Sequence, residues 1–398
     1  DRDAQASPSV PFPVYRLPST VYNWWDSRRS AHPTSTFHYS LFTIHSSLPG
    51  MSYFRPTIDA MTGYVPGEQP QAGKFIKLNT NENPYPASPA VKRAVQAVLE
   101  RGLERYPDPM ATAFRHRAAE LFDVEPDWIL CGNGSDEILT IVTRAFVGEG
   151  QLLRLPYPSY ILYRSLAQIQ GAQSEEIHFL PDWTLDDAFA APARQLRLAF
   201  LPNPNSPSGT LVPPERVLEL AERLACPLVV DEAYVDFSDR NCLQLVKRSD
   251  KVLVSRSLSK SYALAGLRFG FLVAQPHIIS GLLKVKDSYN CDTLSIAAAT
   301  AAIDDQAWLT DNRAKILATR DRLATGMREL GFQPVASQAN FVWCPHRSMA
   351  VKPLYEQLKA NRVLVRYMNY AGWGDGLRIS VGSDAQVDAC LGLLRGMV

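Results

Sequence analysis

Short apolar runs alternate with segments of helical periodicity from about Leu78 onward, and this alternation constrains the fold more than any other feature of the chain. Four runs have the length and the apolar character of buried strands: 128–131, 198–201, 227–230 and 252–254. Helical spacing marks 91–100 and 136–146. Strands that alternate with helices predict an α/β protein built around a mainly parallel sheet.

The C-terminal part follows another pattern. A long helical segment at about 305–330 precedes short apolar strands such as 341–343 and 377–381, which predicts a smaller α+β domain. Residues 1–50 are rich in Ser, Pro, Thr and aromatic residues and show no sustained period. We expect this segment to be a non-native or disordered leader; a real extension and a targeting peptide are the alternatives.

Polar segments follow the four predicted strands. They are Gly132–Ser135, Asn203–Gly209, Asp231–Tyr234 and Ser257–Lys260. In open α/β sheets, ligands bind outside the carboxyl ends of the strands, so we expect these segments to converge on one site. The first segment lies between a strand and a helix, an arrangement that is typical of phosphate binding.

Lys260 lies among small hydroxyl residues, with Arg268 eight positions later. A lysine attacks a carbonyl only when it is neutral, so a nucleophilic lysine must be desolvated or placed near other cations. Taken alone, each segment also has an ordinary structural interpretation: Lys260 as a surface residue, Asp231 as a helix cap, and the Asn-rich segment as a rigid turn. The ordered set of all four favours a catalytic site.

Composition excludes several other classes. The net charge of +1 gives no general attraction to nucleic acid or membranes, so we expect a small-molecule substrate. The six cysteines form no CxxC pair, and we interpret them as reduced thiols of a cytoplasmic protein without a metal site. No apolar run is long enough to span a bilayer, which predicts a soluble protein.

Two functions from other classes fit poorly. A nicotinamide-dependent dehydrogenase needs GxGxxG, but Glu137 stands where the third glycine of the 132–137 segment belongs. A regulator with a DNA-binding N-terminal module needs a basic helical segment, and residues 1–50 are neither basic nor periodic enough.

Six blocks, within 51–398, closely resemble those of the fold-type I, pyridoxal-phosphate-dependent aminotransferases and, among them, the histidinol-phosphate aminotransferase family. In order they are LNTNENPYP (78–86), RYPDP (105–109), GNGSDE (132–137), DEAY (231–234), SLSKSYALAGLRFG (257–270) and LRISVGS (377–383). The resemblance implies a large domain with a mainly parallel seven-stranded sheet and a smaller α+β domain. It divides the chain into an N-terminal arm (51–80), a large cofactor-binding domain (81–285) and a small C-terminal domain (286–398).

The resemblance also assigns cofactor contacts. Lys260 would form the Schiff base with pyridoxal phosphate and transfer the proton, Asp231 would hold the pyridine nitrogen protonated, and Tyr234 would bind the phenolate oxygen. The phosphate would be bound by residues that include the start of a helix: Gly134, Ser135, Asp136, Ser257, Ser259 and Arg268. Tyr160 would stack on the ring, and Tyr106 would reach the phosphate of a second subunit, which implies a homodimer.

One position departs from the family pattern. Ser206 stands where the family usually has a second asparagine that contacts the phenolate oxygen. Asn205 would compensate, or Ser206 would make its own contact. We expect a modest change in the cofactor's titration rather than lost activity.

Substrate contacts complete the implied site. Arg378 would hold a carboxylate and Arg366 the substrate phosphate, because guanidinium groups suit both anions. Other residues of the predicted pocket are Tyr64, Asn83, Tyr160 and Tyr262. The implied reaction is reversible transamination of L-histidinol phosphate and 2-oxoglutarate. An aromatic amino acid aminotransferase and a threonine-phosphate decarboxylase of the same fold are the alternatives.

Overall fold

The structure is a computed structural model that describes residues 52–63, 67–69 and 73–398. Its helices are α1 (Pro56–Asp59), α2 (Pro89–Arg101), α3 (Thr112–Phe122), α4 (Ser135–Phe146), α5 (Leu162–Ile169), α6 (Pro214–Arg223), α7 (Pro276–Leu282), α8 (Thr293–Asp304), α9 (Gln306–Glu329), α10 (Lys352–Ala360) and α11 (Asp384–Arg395). Its strands are β1 (Ile76–Leu78), β2 (Ile129–Gly132), β3 (Leu152–Tyr157), β4 (Gln173–His178), β5 (Leu196–Pro202), β6 (Leu228–Asp231), β7 (Val252–Ser257), β8 (Gly270–Val273), β9 (Phe341–Pro345), β10 (Val363–Tyr370) and β11 (Gly374–Ser380). The predictions for Tyr64 and for residues 1–50 lie outside the described residues.

A seven-stranded sheet forms the larger layer, in the order β2-β8-β7-β6-β5-β3-β4. Five neighbouring strands, from β7 to β4, are parallel, while β8 runs antiparallel to both of its neighbours. This confirms the predicted α/β class and the mainly parallel seven-stranded sheet. All four strands that the apolar runs predicted are present, each within a few residues of its predicted bounds.

Apolar side chains on both faces of this sheet form two core clusters, which include Val230 and Val254 on one face and Val229 and Leu253 on the other. Strands buried on both faces read as continuous apolar runs, which is why β5, β6 and β7 are visible in the sequence. The edge strand β4 reads QSEEIH and is only partly buried, so it gives no such signal.

A smaller sheet has the order β1-β10-β11-β9. Its strand β1 comes from the segment predicted as an N-terminal arm and pairs in parallel with β10. Helices α9, α10 and α11 pack on this sheet and enclose a third apolar cluster with it. Helix α8 packs instead against α2 and α3 beside the larger sheet. The domain boundaries given above stay a prediction.

Among the described residues, no helix combines the length and the apolarity that crossing a membrane requires.

Candidate active site

A cavity of about 740 Å³ opens at the carboxyl edge of the seven-stranded sheet, where the smaller sheet faces it. Its lining includes residues that follow β2, β3, β5, β6 and β7, together with side chains of β10 and β11. The predicted site residues in this lining are Ser135, Asp136, Tyr160, Ser206, Asp231, Tyr234, Ser257, Ser259, Lys260, Arg268, Arg366 and Arg378. The polar segments therefore do converge on one site.

An anion cradle forms where β2 passes into α4. Gly134 is the N-cap of this helix with φ +83°, a conformation that favours glycine, and a β-carbon there would lie 2.6 Å from Arg268 Nη2. The Arg268 guanidinium lies 3.3 Å from the Asp136 carboxylate and donates to Ser259 Oγ (3.4 Å). Free N–H groups at a helix start, an arginine and hydroxyls together suit a phosphate group.

Lys260 lies in the cavity with its Nζ 3.1 Å from the carbonyl oxygen of Thr80. Burial, and then the positive charge of Arg378, lower the pKa of the Lys260 ammonium from 10.5 to about 8. About a tenth of this amine is therefore neutral at pH 7, far more than for an ordinary lysine, and the neutral form is the one that a nucleophile or a proton acceptor requires.

Asp231 ends β6 and lies in the floor of the cavity, where the residue is 5% exposed. The Tyr163 hydroxyl donates to its Oδ2 (2.7 Å) and the Ala233 amide to its Oδ1 (3.2 Å). Burial raises the pKa of Asp231 from 3.8 to about 6, so this carboxylate favours a cationic partner. Sequence reasoning missed Tyr163; its place only three residues after the predicted Tyr160 was the available signal.

Two further tyrosines, Tyr160 and Tyr234, line the cavity near Asp231. The Tyr234 hydroxyl accepts from Asn81 Nδ2 (3.0 Å), and its ring centroid lies 6.0 Å from Lys260 Nζ. Tyr160 donates to Asp136 Oδ1 (3.3 Å), and its ring contacts that of Tyr163 edge to face. The site thus has an aromatic wall next to its carboxylate floor.

Two arginines project into the cavity from the smaller sheet. Arg366 on β10 and Arg378 on β11 are directly paired across the antiparallel register. Arg378 donates from Nη1 to Ser206 Oγ (2.9 Å) and from Nη2 to the carbonyl of Asn79 (3.1 Å). Two adjacent guanidinium groups in one cavity suit a ligand with a strongly anionic end.

Several predicted residues are not brought into the cavity lining. Asn205 is buried, and its amide donates to Pro158 O and Ser208 Oγ, so Ser206 is the residue of this pair that faces the cavity. The Asn83 amide donates to the carbonyls of Lys260 and Ser261, 3.0 Å each, and is occupied by main chain.

Two predicted tyrosines also lie elsewhere. The Tyr262 ring packs against the core and its hydroxyl accepts from Gln306 (3.2 Å). Tyr106 is 82% exposed and stacks on Tyr289, 4.6 Å between centroids, outside the cavity of its own chain.

The donor set fits a planar ring that carries a phosphate, a basic ring nitrogen and a carbonyl carbon. The cradle would hold the phosphate, the Asp231 carboxylate would pair with a protonated ring nitrogen, and the Lys260 amine would bind the carbonyl carbon. Three buried polar atoms of the cavity residues have no hydrogen-bond partner within the described chain: Asn79 Oδ1, Ser159 Oγ and Arg378 Nε. Buried groups of this kind are usually paired, so they fit a site for a polar ligand.

Comparisons with known proteins agree with this geometry. A histidinol-phosphate aminotransferase of Rhodopirellula baltica is 57% identical over 339 residues, which cover 85% of this chain and 94% of that protein. Histidinol-phosphate aminotransferase 1 of Trichormus variabilis is 44% identical and covers 87% of this chain and 99% of its own. A crystal structure of histidinol-phosphate aminotransferase from Sinorhizobium meliloti in complex with pyridoxal-5'-phosphate superimposes with a TM-score of 0.81 and 25% identity, over 88% of this chain and 100% of that one.

A double mutant of the Thermus thermophilus aspartate aminotransferase has the same fold, with a TM-score of 0.74, 20% identity, and coverage of 87% of this chain and 100% of that one. The family model described as aminotransferase class I and II matches residues 73–394. This chain belongs to the class I and II aminotransferases.

Proposed function

We propose that this chain catalyses the reversible transfer of an amino group from L-histidinol phosphate to 2-oxoglutarate, which gives imidazole acetol phosphate and L-glutamate, a step of histidine biosynthesis. The observation that carries the proposal is the Arg366–Arg378 pair, which faces the cavity that also holds Lys260. The names of the relatives at 57% and 44% identity support the same reaction.

Pyridoxal 5'-phosphate is the cofactor, and the residues of the cavity fit it. Gly134, Ser135 and Arg268 would hold its phosphate, and Ser257 and Ser259 line the same part of the cavity. When bound, this cofactor supplies an electron sink that stabilises negative charge at the substrate carbon. Tyr160 would stack on the ring, and Tyr234 would bind its phenolate oxygen.

Lys260 and Asp231 carry the proton chemistry of the chain itself. The Lys260 amine, whose pKa is lowered to about 8, would accept the proton of the substrate carbon that bears the nitrogen and would deliver it on the other side of that nitrogen. The buried Asp231 carboxylate would keep the ring nitrogen protonated, because a carboxylate at this depth is unfavourable without a cationic partner.

Arg366 and Arg378 would bind the two anionic substrates in turn. Histidinol phosphate carries a phosphate, whereas 2-oxoglutarate carries two carboxylates, so one pair of guanidinium groups serves both. Ser206 already accepts from Arg378 Nη1 and would help to hold that guanidinium in place.

We propose that two chains form a homodimer. Tyr106 lies outside its own cavity and is 82% exposed, although an aromatic ring of this size is usually covered. In the dimer it would reach the cofactor phosphate of the partner. A cytoplasmic location accords with the six cysteines, which are all buried and unpaired.

The test compares histidinol phosphate with unphosphorylated histidinol in steady-state assays of Arg366→Gln. Loss of a charged hydrogen-bond donor is expected to lower kcat/KM for histidinol phosphate by about 10- to 100-fold and to leave that for histidinol unchanged. The control variant Arg194→Gln removes an exposed arginine outside the cavity and should change neither value.

Equal losses for both substrates would contradict the phosphate assignment. Activity with phenylalanine that Arg366→Gln leaves intact would identify an aromatic amino acid aminotransferase instead. Release of carbon dioxide without glutamate would identify a decarboxylase.

A further inference from the structure

A charged cluster lies beneath the active site, outside the cavity lining. It consists of Glu232, Asp236, Arg256 and Ser261. Glu232 is 2% exposed and Arg256 is 7% exposed. Buried ionised groups are unfavourable unless they are paired, and a chain keeps them only where the pairing is complete or useful.

The contacts within this cluster are continuous. Arg256 donates to Glu232 Oε2 from Nε (2.9 Å), and its Nη2 lies 2.8 Å from the same oxygen. The other Glu232 oxygen accepts from the Cys242 amide. Arg256 Nη1 lies 3.8 Å from Asp236 Oδ1, and Asp236 Oδ2 accepts a hydrogen bond from the Ser261 hydroxyl.

Every member of the cluster is within two residues, along the chain, of a residue of the active site. Glu232 follows Asp231, Arg256 precedes Ser257, Ser261 follows Lys260, and Asp236 is two residues after Tyr234. The Glu232 amide also donates to the Ser255 carbonyl (2.8 Å), which continues the β6–β7 pairing beyond the end of β6. The cluster therefore joins the loop after β6 to the loop after β7.

The Lys260 segment is fixed from a second side. Asn83 donates to the main-chain carbonyls of both Lys260 and Ser261. With the Ser261 hydroxyl bound to Asp236, the peptide that carries the lysine is held at two carbonyls and one side chain.

We propose that Ser261, Asp236, Arg256 and Glu232 are positioning residues that fix the Lys260 amine relative to the Asp231 carboxylate. The inference rests on the proposed function and deepens it, since the two groups must act on opposite parts of one bound cofactor. The Ser261–Asp236 hydrogen bond is the contact that links the lysine to the cluster. None of the four residues touches the cavity, so each acts through its neighbour.

The experiment uses Ser261→Ala, Asp236→Ala and the double variant, each as holoenzyme with histidinol phosphate and 2-oxoglutarate. A misplaced amine lowers kcat by about 10- to 100-fold with KM unchanged for both substrates. If the two residues act through one contact, the double variant loses no more than the worse single variant. Ser261→Thr keeps the hydroxyl and should recover most of the lost rate.

A second readout does not depend on the amino substrate. The rate at which the apo protein captures pyridoxal phosphate, followed from pH 6 to pH 10, reports the Lys260 amine directly. The charged groups that face this amine are Arg378, Arg268, Glu82 and Asp136, and none of them is substituted in the variants. Ser261→Ala should slow capture of the cofactor at every pH. If wild-type protein captures the cofactor but does not react with histidinol phosphate, the proposed substrate is wrong, but the capture rates still test the positioning role of Ser261.

Ser88→Ala is the matched control. The Ser88 hydroxyl donates to Asp305 Oδ2 (2.5 Å) and is equally buried, but it lies outside the cavity lining and outside the cluster. It should lower the unfolding temperature without changing kcat or the capture rate. An unchanged kcat in Ser261→Ala, additive losses in the double variant, or a fall in kcat for Ser88→Ala as large as for Ser261→Ala would overturn the proposal.

Discussion

Gly270 at the start of β8 lets the anion cradle at the start of α4 approach the sheet. Gly270→Ala tests how closely the two are packed. A β-carbon at Gly270 would lie 2.6 Å from the Ser135 nitrogen, 2.8 Å from the Gly134 carbonyl carbon and 2.9 Å from the Arg256 carbonyl oxygen. All three are backbone atoms, so no flexible side chain can move aside. Ordinary contacts begin at 3.4 Å, so the first turn of α4 would have to move by about 0.8 Å.

Overpacking of this kind costs about 1–3 kcal/mol, which corresponds to a dissociation constant for pyridoxal phosphate about 5- to 150-fold higher if the displaced cradle bears the cost. Titration of the apo protein with the cofactor, followed by absorbance, measures this constant. Gly281→Ala is the matched control, because Gly281 lies in α7 with no atom near its β-carbon position and should leave cofactor affinity unchanged. A lower unfolding temperature with unchanged affinity for Gly270→Ala would refute the reasoning, since the strain would then lie outside the cradle.

Further predictions concern the two titrating groups of the site. Asp231→Asn should lower kcat by about 100- to 1000-fold, because it removes the buried carboxylate that we propose as the charge partner of the ring nitrogen. The same variant should stabilise the apo protein at pH 7 by up to about 3 kcal/mol. Burial raises the Asp231 pKa from 3.8 to about 6, so ionisation of Asp231 destabilises the wild-type fold as the pH rises through that range. Denaturant unfolding of both proteins at pH 4 and pH 7 measures the difference. Capture of pyridoxal phosphate by the apo protein should accelerate with pH around a midpoint near 8, the lowered Lys260 pKa, and a midpoint near 10.5 would contradict that assignment. Tyr163→Phe removes the donor to Asp231 Oδ2 and should shift the pH dependence of cofactor absorbance, whereas an unchanged titration would show that this hydrogen bond does not tune the carboxylate.

The sequence predicts the central strands and the polar segments that follow them because both signals are local. A strand buried on both faces is an apolar run, and residues placed after such runs meet at one edge of the sheet. Strand β4 gave no signal because its side chains are mostly polar and half-exposed at the edge of the sheet. Strand β1 is three residues long and is stabilised by pairing with β10, almost 300 residues away, which no local pattern contains.

The same distinction applies to the candidate site. Lys260 and Asp231 have recognisable local surroundings, and the structure places both in the cavity. Asn83 and Tyr262 lie in sequence blocks that resemble the family, but their side chains are occupied by the Lys260 segment and by Gln306. Which way a side chain in such a block points depends on partners far away in the chain, and this is why the resemblance identifies the segment better than the contact.

The charged cluster beneath the active site is a second case in which the sequence does not show which side chains are in contact. Glu232 and Ser261 each stand beside a residue proposed to be catalytic, yet only the fold shows that they connect to Arg256 and Asp236. At the ends of β6 and β7, Asp231 and Ser257 line the cavity, whereas their neighbours Glu232 and Arg256 lie outside the lining. The pairing of Glu232 with Arg256 depends on the register between the two strands, which no local pattern contains.

The central claim is that Lys260, Asp231 and the Arg366–Arg378 pair act together on L-histidinol phosphate. The most direct measurement mixes the holoenzyme with L-histidinol phosphate alone and follows the visible absorption of the bound cofactor by stopped flow. We expect the absorption of the resting enzyme to disappear and to return when 2-oxoglutarate is added, since the two halves of the reaction share one site. An unchanged spectrum with L-histidinol phosphate, together with a full change with phenylalanine, would contradict the account.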